Sequence, residues 1–398
     1  MSIPRDARRR YGAGSVLVLA AVVAVAVNLR APVAGVGPVL EEIRSGTGLS
    51  VGAAGFLTSL PALCFAAIGL ASPWLARTLG TTRAITAALV LLAVALVVRV
   101  TGASPTLLVG SVAACAGIAA VNVLLPVVVK ERFGHRVGTV TGLYTSALAG
   151  GSAVAAAVTA PLAVAAGPGG WRIALAVWAL PCVVAVALWV AASRRDPRGT
   201  PVVRPRERVD RRLVRHPVVW GLTVFFGAQS LIFYTILGWL PAVYRDAGLD
   251  AATAGTLLAV CVLIGVPTYF VVPVLAARRP GQRAWAVGLT AAAVAGFAGL
   301  LVAPAEGAWL WAVLLGLGNA TFPLTMSLFA LRTSSPAQTA AVSAAGQSAG
   351  YLIAAVGPIG AGLLREATGS WTAPILALLA VLVVQAGAGM LAGRSGQL

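Results

Sequence analysis

The chain has 398 residues, of which 59% are hydrophobic and only 10% charged, and its mean hydropathy is +0.93. Soluble domains carry about 25% charged residues, so this composition excludes a soluble globular protein. The net charge of +18 is concentrated in short segments between apolar runs, which is typical of membrane topology. This distribution excludes a nucleic-acid-binding surface, in which basic residues cluster on one folded face.

Twelve apolar runs follow one another along the chain. Their length of about 20 residues fits membrane-spanning helices and not the roughly 10-residue alternating strands of an outer-membrane barrel. We therefore predict an all-α integral membrane protein with twelve transmembrane helices in a lipid bilayer. The predicted spans are residues 13–38, 51–75, 84–100, 106–129, 137–165, 171–193, 217–240, 251–276, 284–303, 308–331, 339–364 and 371–392.

The basic residues predict the orientation of these helices. If both termini are cytoplasmic, 23 of the 29 basic residues fall in cytoplasmic loops and four in external loops. The other two, Arg30 and Arg99, lie within spans. Lysine and arginine accumulate on the cytoplasmic side, so we predict a multi-pass protein of the cell (inner or plasma) membrane with both termini inside.

The longest polar stretch, residues 194–216, is rich in Arg and Pro and follows the sixth predicted span. It predicts a cytoplasmic linker between two six-helix bundles, residues 1–193 and 217–398. The simplest interpretation of its charge is contact with anionic lipid at the cytoplasmic face.

The two groups of six spans repeat each other. Gly55 and Gly255 stand 200 residues apart, near the starts of the second and eighth spans. Asn122–Pro126 in the fourth span matches Asn319–Pro323 in the tenth, with the same Asn-x-x-x-Pro spacing. Parallel six-helix repeats are typical of transporters in which two halves give access to a central site from alternate sides.

The segment between the second and third spans, Pro73–Arg83, resembles the gating motif of the major facilitator superfamily. It keeps Gly80 and the basic positions Arg77 and Arg83, but it lacks the acid that usually precedes the first arginine. The resemblance implies the major facilitator fold of two pseudo-symmetric six-helix bundles. It also assigns gating to Arg77, Gly80 and Arg83.

Within that superfamily the chain most resembles the cyanate and 2-nitroimidazole permease branch. The resemblance implies a secondary transporter of a small molecule, but it leaves the substrate open because members of this branch are thought to handle chemically different solutes. The residues that carry it are Asn28–Pro32, Gly35–Pro38 and Leu40–Ile43 in and after the first span, and Gln347–Tyr351 and Gly357–Pro358 in the eleventh.

Arg30 is the first candidate for substrate binding. An arginine near a helix centre costs roughly 2.5–3.5 kcal/mol on insertion scales, and Pro32 beside it removes a backbone donor and locally breaks the helix. A guanidinium presents a planar fork of donors that suits a planar anion in a water-filled cavity. The alternatives are that Arg30 extends outward to the surface or pairs with Glu41 or Glu42.

Further polar residues in the spans are candidates for substrate contact, because amides and phenols both donate and accept hydrogen bonds. Each has an alternative role in binding backbone or a neighbouring helix, and Asn28 faces away from Arg30 unless the helix is loosened. Arg99, near the outer end of its span, is expected to extend to the surface. The candidates beside Arg30 are Asn28, Asn122, Tyr144, Gln229, Tyr234, Asn319, Gln347 and Tyr351.

No predicted span interior contains a carboxylate or a histidine, the groups that proton-coupled carriers usually titrate. No nucleophile–base pair, phosphate loop or metal-ligand spacing is present, so we predict a protein that is not an enzyme and has neither cofactor nor metal. We predict a monomeric secondary transporter of a small, anionic or nitro- or carboxylate-like solute. The alternative is an efflux carrier for neutral or cationic drugs in which Arg30 is structural.

Overall fold

The computed structural model describes residues 5–133, 136–195, 216–279, 281–334 and 336–396. Within these ranges twelve helices are long and apolar enough to cross a membrane, which confirms the all-α fold class. Of the predicted linker 194–216, residues 196–215 lie outside the described ranges. In chain order the spans are α1 (Arg5–Asn28, Ala31–Ala34 and Leu40–Thr47, with a 3₁₀ turn at Gly37–Val39), α2 (Val51–Leu79), α3 (Thr81–Val98), α4 (Ser104–Phe133), α5 (Val137–Ala165), α6 (Trp171–Ala176 and Ala179–Arg195), α7 (Pro217–Asp246), α8 (Ala251–Leu263 and Gly265–Ala277), α9 (Arg283–Val302), α10 (Ala308–Gly318 and Thr321–Leu331), α11 (Pro336–Thr368) and α12 (Thr372–Ala392).

The first span is broken where the sequence predicts it. Its long first piece ends at Asn28, and a short second piece begins at Ala31 with Pro32 in its first turn. A proline fits a helix start because its missing N–H would be unpaired there anyway, whereas inside a helix it removes a hydrogen bond. Arg30 therefore lies at the junction between two helical pieces.

The repeated Asn-x-x-x-Pro segments fold differently in the two groups of spans. In α10 the helix stops at Gly318 and resumes at Thr321, so Asn319 lies in a break. In α4 the helix continues through Pro126 from Ser104 to Phe133. The two Asn-x-x-x-Pro segments therefore occupy equivalent positions in the fourth and tenth spans but differ in local backbone conformation.

Loops that follow odd-numbered spans lie at the end of the bundle opposite the chain termini, which we call the far end. There α2 packs closely against α11, and α5 against α8. A Cβ added at Gly55 would lie 2.6 Å from the carbonyl oxygen of Pro358, and one at Gly255 would lie 2.5 Å from that of Ala156. Because glycine has no side chain, it lets these helices of the first and last six spans approach backbone to backbone.

Polar contacts at the far end also join the first six spans to the last six. Arg245 pairs with Glu42 at 2.8 Å, and the side chain of Glu366 accepts a 3.0 Å hydrogen bond from the backbone N–H of Gly52. Glu41 pairs within its own helix with Arg44 at 2.6 Å. The far end is therefore closed, and both glutamates that could have paired with Arg30 are engaged there.

At the termini end, Arg332 ties the last spans together. It is 4% exposed, its Nε donates to the carbonyl of Ala392 at 2.8 Å, and its Nη2 donates to the side chain of Gln282. The amide of Gln282 in turn donates to the carbonyls of Ala276 and Arg279 at 3.1 and 2.7 Å. The ends of α8, α9, α10 and α12 are thus held together by one buried cluster.

Candidate functional site

Arg30 is half-buried in the interior of the bundle, between aromatic rings of the last six spans. Its guanidinium carbon lies 4.6 Å from the ring centre of Phe233 in α7 and 5.9 Å from that of Phe322 in α10. A cation over a ring face within about 6 Å is attracted by the ring quadrupole. These contacts hold the guanidinium inside the bundle and contradict the alternative that Arg30 extends outward to the surface.

Three tyrosines complete the surroundings of this guanidinium. Tyr234, Tyr269 and Tyr351 are close enough to interact electrostatically with Arg30. Tyr269 was not among the residues predicted from the sequence. The phenols add neutral donors and acceptors around the charge, so a bound solute could be contacted from several sides.

The rings form one connected wall, which we call the aromatic cluster. Tyr351 lies 5.0 Å from Phe226 and 5.0 Å from Phe65 between ring centres, and Tyr269 lies 5.9 Å from Phe322. Edge-on and tilted pairs at these distances are the favoured aromatic geometries. The cluster is contributed by α2, α7, α8, α10 and α11, and consists of Phe65, Phe226, Phe233, Tyr234, Tyr269, Phe322 and Tyr351.

Arg30 makes no ion pair with any residue that the structure describes. The alternative that it pairs with Glu41 or Glu42 is wrong, because Arg44 and Arg245 occupy those carboxylates. A cation inside the bundle without a counter-charge is costly even when half-buried, and an anion that binds beside it removes part of this cost. The site is therefore electrostatically suited to a small anion between flat apolar walls.

Arg99 is the second guanidinium within the spans, and the prediction that it extends to the surface is wrong. It is 3% exposed. Its two terminal nitrogens donate to the carbonyls of Pro32 at 3.2 Å and Leu175 at 3.4 Å. The carbonyl of Pro32 is free to accept because the backbone N–H of Val36 bonds to Val33 in the broken part of α1. The hydropathy pattern gives the position of Arg99 along its span, but it does not give the direction in which its side chain points.

Two predicted candidates are bonded into the bundle away from the guanidinium. Asn28 is 1% exposed and its amide donates to the carbonyls of Ala24 at 2.8 Å and Pro181 at 3.1 Å. Gln229 is 3% exposed and donates to the hydroxyl of Ser230 at 2.6 Å. Both fit the alternative role of binding backbone or a neighbouring side chain.

The other amides and Tyr144 are partly exposed and lie on α4, α5, α10 and α11. Asn319 donates to the sulfur of Cys261 in α8 at 3.6 Å, and Gln347 donates to the hydroxyl of Ser343 at 2.7 Å. Asn122 and Tyr144 make no hydrogen bond with the part of the chain that the structure describes. Of all predicted candidates, the structure brings Tyr234 and Tyr351 to Arg30.

The predicted gating residues lie at the turn between α2 and α3. Gly80 has φ of +80°, a conformation that favours glycine, and directly precedes α3. Arg83 is exposed in the first turn of α3, and the side chain of Arg77 lies outside what the structure describes. Gly80 therefore has a definite structural role in reversing the chain.

A family model described as the Major Facilitator Superfamily matches residues 16–358, most of the chain. With twelve spans and an interior cationic site, the chain belongs to this superfamily of membrane transporters. It is a multi-pass membrane protein that transports a small molecule and is not an enzyme.

Two relatives and one solved structure illustrate the similarity. The chain is 34% identical over 390 residues to a "2-nitroimidazole transporter" of Escherichia coli K12, covering 97% of this chain and 98% of that protein. It is 31% identical over 378 residues to the "Cyanate transport protein CynX" of the same organism, covering 92% and 95%. A bacterial homologue of the human lysosomal transporter Spinster, in an inward-facing and occupied conformation, matches with a TM-score of 0.78 at 15% identity, covering 95% and 96%. At that identity the likeness concerns the fold alone.

Proposed function

We propose that this protein is a secondary active transporter of a small anion, or of a solute with a nitro- or carboxylate-like group. The observation that carries the proposal is the Arg30 guanidinium, which lies inside the bundle against aromatic rings with no carboxylate partner among the described residues. Its planar fork of donors matches two oxygens of a carboxylate, a nitro group or a similar anion. The flat rings on either side favour a planar or narrow solute.

The substrate site consists of Arg30 with Tyr234, Tyr269 and Tyr351 around it. The phenols contribute hydrogen bonds that a neutral part of the solute can use. We keep Asn122, Tyr144, Asn319 and Gln347 as further contacts, because each is partly exposed on a span. Asn28 and Gln229 instead stabilise the spans that position the site.

Transport proceeds by alternating access, in which spans of residues 1–193 rock against spans of residues 217–398 around Arg30. The closed far end supports this proposal, because the Glu42–Arg245 ion pair and the glycine contacts lie between these two groups of spans. Gly80, Arg77 and Arg83 act as a gate at the termini end. The protein works as a monomer in the cell membrane with both termini in the cytoplasm.

A carrier for cationic drugs is the less suitable function for this site. Such a carrier needs an acid or an uncharged apolar wall where the drug cation binds, and here the interior charge is itself positive. Among the described residues, the carboxylates Glu41, Glu42 and Glu366 are held at the far end. A cation beside Arg30 would be repelled.

The test is uptake of cyanate and of 2-nitroimidazole into liposomes that contain the purified protein, compared with Arg30→Ala and Arg30→Lys. Loss of a charge-assisted hydrogen bond is worth about 1.5–3 kcal/mol, so we expect kcat/KM for a transported anion to fall roughly 10- to 150-fold in Arg30→Ala. Arg30→Lys keeps the charge but not the fork, and so retains part of the activity. Arg278→Ala, at an exposed position after α8, is the matched control.

Equal transport of these anions by Arg30→Ala and by the unmodified protein would show that Arg30 does not bind the substrate. Transport of cationic drugs in preference to anions would favour the efflux carrier. A dependence of anion uptake on an imposed pH gradient would show that a proton moves with the solute.

A further inference from the structure

An interior cavity lies beside Pro32, Val33 and Val36, the part of α1 between Arg30 and the far end. Its volume is about 30 Å³, and the polar residues that line it are Thr58 of α2, Arg99 after α3, Ser111 and Cys115 of α4, and Tyr234 of α7. Arg99, Ser111 and Tyr234 are each less than 5% exposed, so the cavity is inside the protein. It is distinct from the aromatic cluster, although Tyr234 belongs to both.

Two buried donors beside this cavity have no partner. The Nε of Arg99 and the hydroxyl of Ser111 are both buried and make no hydrogen bond within the described residues. Buried polar groups in proteins are nearly always paired, so two unpaired donors that border one cavity indicate a missing acceptor. The terminal nitrogens of Arg99 are already used by backbone carbonyls, which leaves its Nε for a ligand.

The charge of Arg99 is also uncompensated. Its hydrogen-bond partners are neutral carbonyls, and it forms no ion pair with any described carboxylate. Gly110 of α4 packs directly against the backbone and Cβ of Arg99, with a would-be Cβ 2.6 Å from the arginine Cβ, and both terminal nitrogens of the guanidinium are bonded inside the bundle. A buried cation without an acid partner is costly, and an anion bound beside it would remove part of that cost.

We propose that this cavity is a second anion-binding site that holds one halide-sized anion. The anion accepts hydrogen bonds from the Nε of Arg99 and the hydroxyl of Ser111, and it faces Tyr234. On this measure of volume a single water molecule needs about 10–15 Å³, so the cavity has room for a small ion such as chloride or bromide. The site differs from the Arg30 site, which is walled by aromatic rings.

The location of this cavity links the anion to the conformation of the bundle. Its walls come from α1, α2, α3 and α4 and, on the other side, from Tyr234, Leu237 and Gly238 of α7. Gly238 packs against Thr58, with a would-be Cβ 2.8 Å from the threonine Cβ. Separation of α7 from α1 and α2 would open the cavity, so a bound anion stabilises the closed far end and is released when that end opens.

The experiment is thermal unfolding of the purified full chain in detergent, titrated with sodium bromide against sodium gluconate at constant ionic strength. We expect bromide to raise the Tm of the unmodified protein in a saturable manner. In Ser111→Ala and Arg99→Lys the bromide midpoint should rise about tenfold, because a hydrogen bond to a charged ligand is lost or misdirected. Ser152→Ala is the matched control, since Ser152 is another buried unpaired hydroxyl and does not line the cavity.

Crystals soaked in bromide give the second readout, an anomalous peak beside the Nε of Arg99. Absence of that peak, or a bromide midpoint unchanged in Ser111→Ala, would overturn the proposal and leave water as the occupant. The Arg30→Ala variant separates this site from the substrate site: its bromide midpoint should equal that of the unmodified protein. A midpoint that shifts only in Arg30→Ala would place the halide at the substrate site and refute the second one.

Discussion

Gly255 is a position at which the closed far end is sensitive to a single methyl group. In α8 it faces the backbone of α5, and an added Cβ would lie 2.5 Å from the carbonyl oxygen of Ala156. Ordinary van der Waals contact begins at 3.4 Å. In Gly255→Ala, either the two helices must therefore separate by about 0.9 Å or the carbonyl oxygen of Ala156 must move away from the new Cβ. A backbone carbonyl inside a helix yields little, because it is hydrogen-bonded along the helix axis.

Overpacking of this kind costs typically about 1–3 kcal/mol. If the cost applies to the closed far end and not to the open one, it shifts the equilibrium toward opening by about 5- to 150-fold. We expect Gly55→Ala to act in the same direction, because its Cβ would lie 2.6 Å from the carbonyl oxygen of Pro358. Gly288→Ala is the control, since an added Cβ at this exposed position of α9 meets nothing within 4 Å.

The assay is a distance measurement by electron paramagnetic resonance between spin labels at Ser45 and Glu306, exposed positions on the two groups of spans at the far end. In the unmodified protein a single short distance should dominate. Gly255→Ala and Gly55→Ala should add a longer distance, and Gly288→Ala should not. Identical distributions in Gly255→Ala and Gly288→Ala, with both variants folded, would refute the idea that glycine contacts determine closure.

Two further predictions concern the substrate site and the acid stability of the fold. Phe233→Leu should lower the apparent affinity for a transported anion by a factor of about 2 to 30, because a cation–π contact of about 0.5–2 kcal/mol no longer holds Arg30 in place. The dependence of the uptake rate on anion concentration measures this affinity. Phe270→Leu, which changes an exposed ring, is the control. At the start of α8, hydrogen bonds from Thr253 lower the pKa of Asp250, so its stabilising effect is present above the unfolded-state pKa of about 3.9 and is lost as pH falls through the lower folded-state value. Asp250→Asn should therefore flatten the acid limb of a plot of Tm against pH, and an unchanged acid limb would contradict this role.

The twelve spans and the break beside Arg30 could be predicted because each follows from a local rule. A membrane-spanning backbone must satisfy its own hydrogen bonds, so helix-length apolar runs are diagnostic. Pro32 cannot donate, so it predicts a weak point in α1 wherever neighbouring helices lie. Neither inference requires knowledge of which helices are in contact.

The composition of the site could not be predicted, because it depends on the direction in which each side chain points. In a helix that is apolar on all faces, periodicity does not distinguish the interior from the lipid. Phe322 and Tyr269 therefore gave no signal apart from the presence of a tyrosine away from the membrane interface, where that residue is usually found. Arg99 was assigned to the surface for the same reason, although two broken helices provide carbonyls for it.

Asn28, two residues before Arg30, takes the alternative role that the sequence left open, in which its amide binds backbone. Its amide binds the carbonyl of Pro181 and joins α1 to α6. This agrees with the helical spacing, which makes residues two positions apart point to different sides of a helix. Tyr351, more than 300 positions later in the chain, contributes to the surroundings of Arg30 instead.

The glycine contacts at the far end have a consequence for the conditions under which the protein can work. Contacts between a glycine and a backbone carbonyl carry no net charge, so dissolved salt does not weaken them. The Arg245–Glu42 pair, with side chains 29% and 35% exposed, lies at the rim, where ions of the medium reduce its attraction. A rise in ionic strength would therefore weaken the Arg245–Glu42 pair but leave the glycine–carbonyl contacts unchanged. The closed state should for this reason persist over a wide range of salt concentrations.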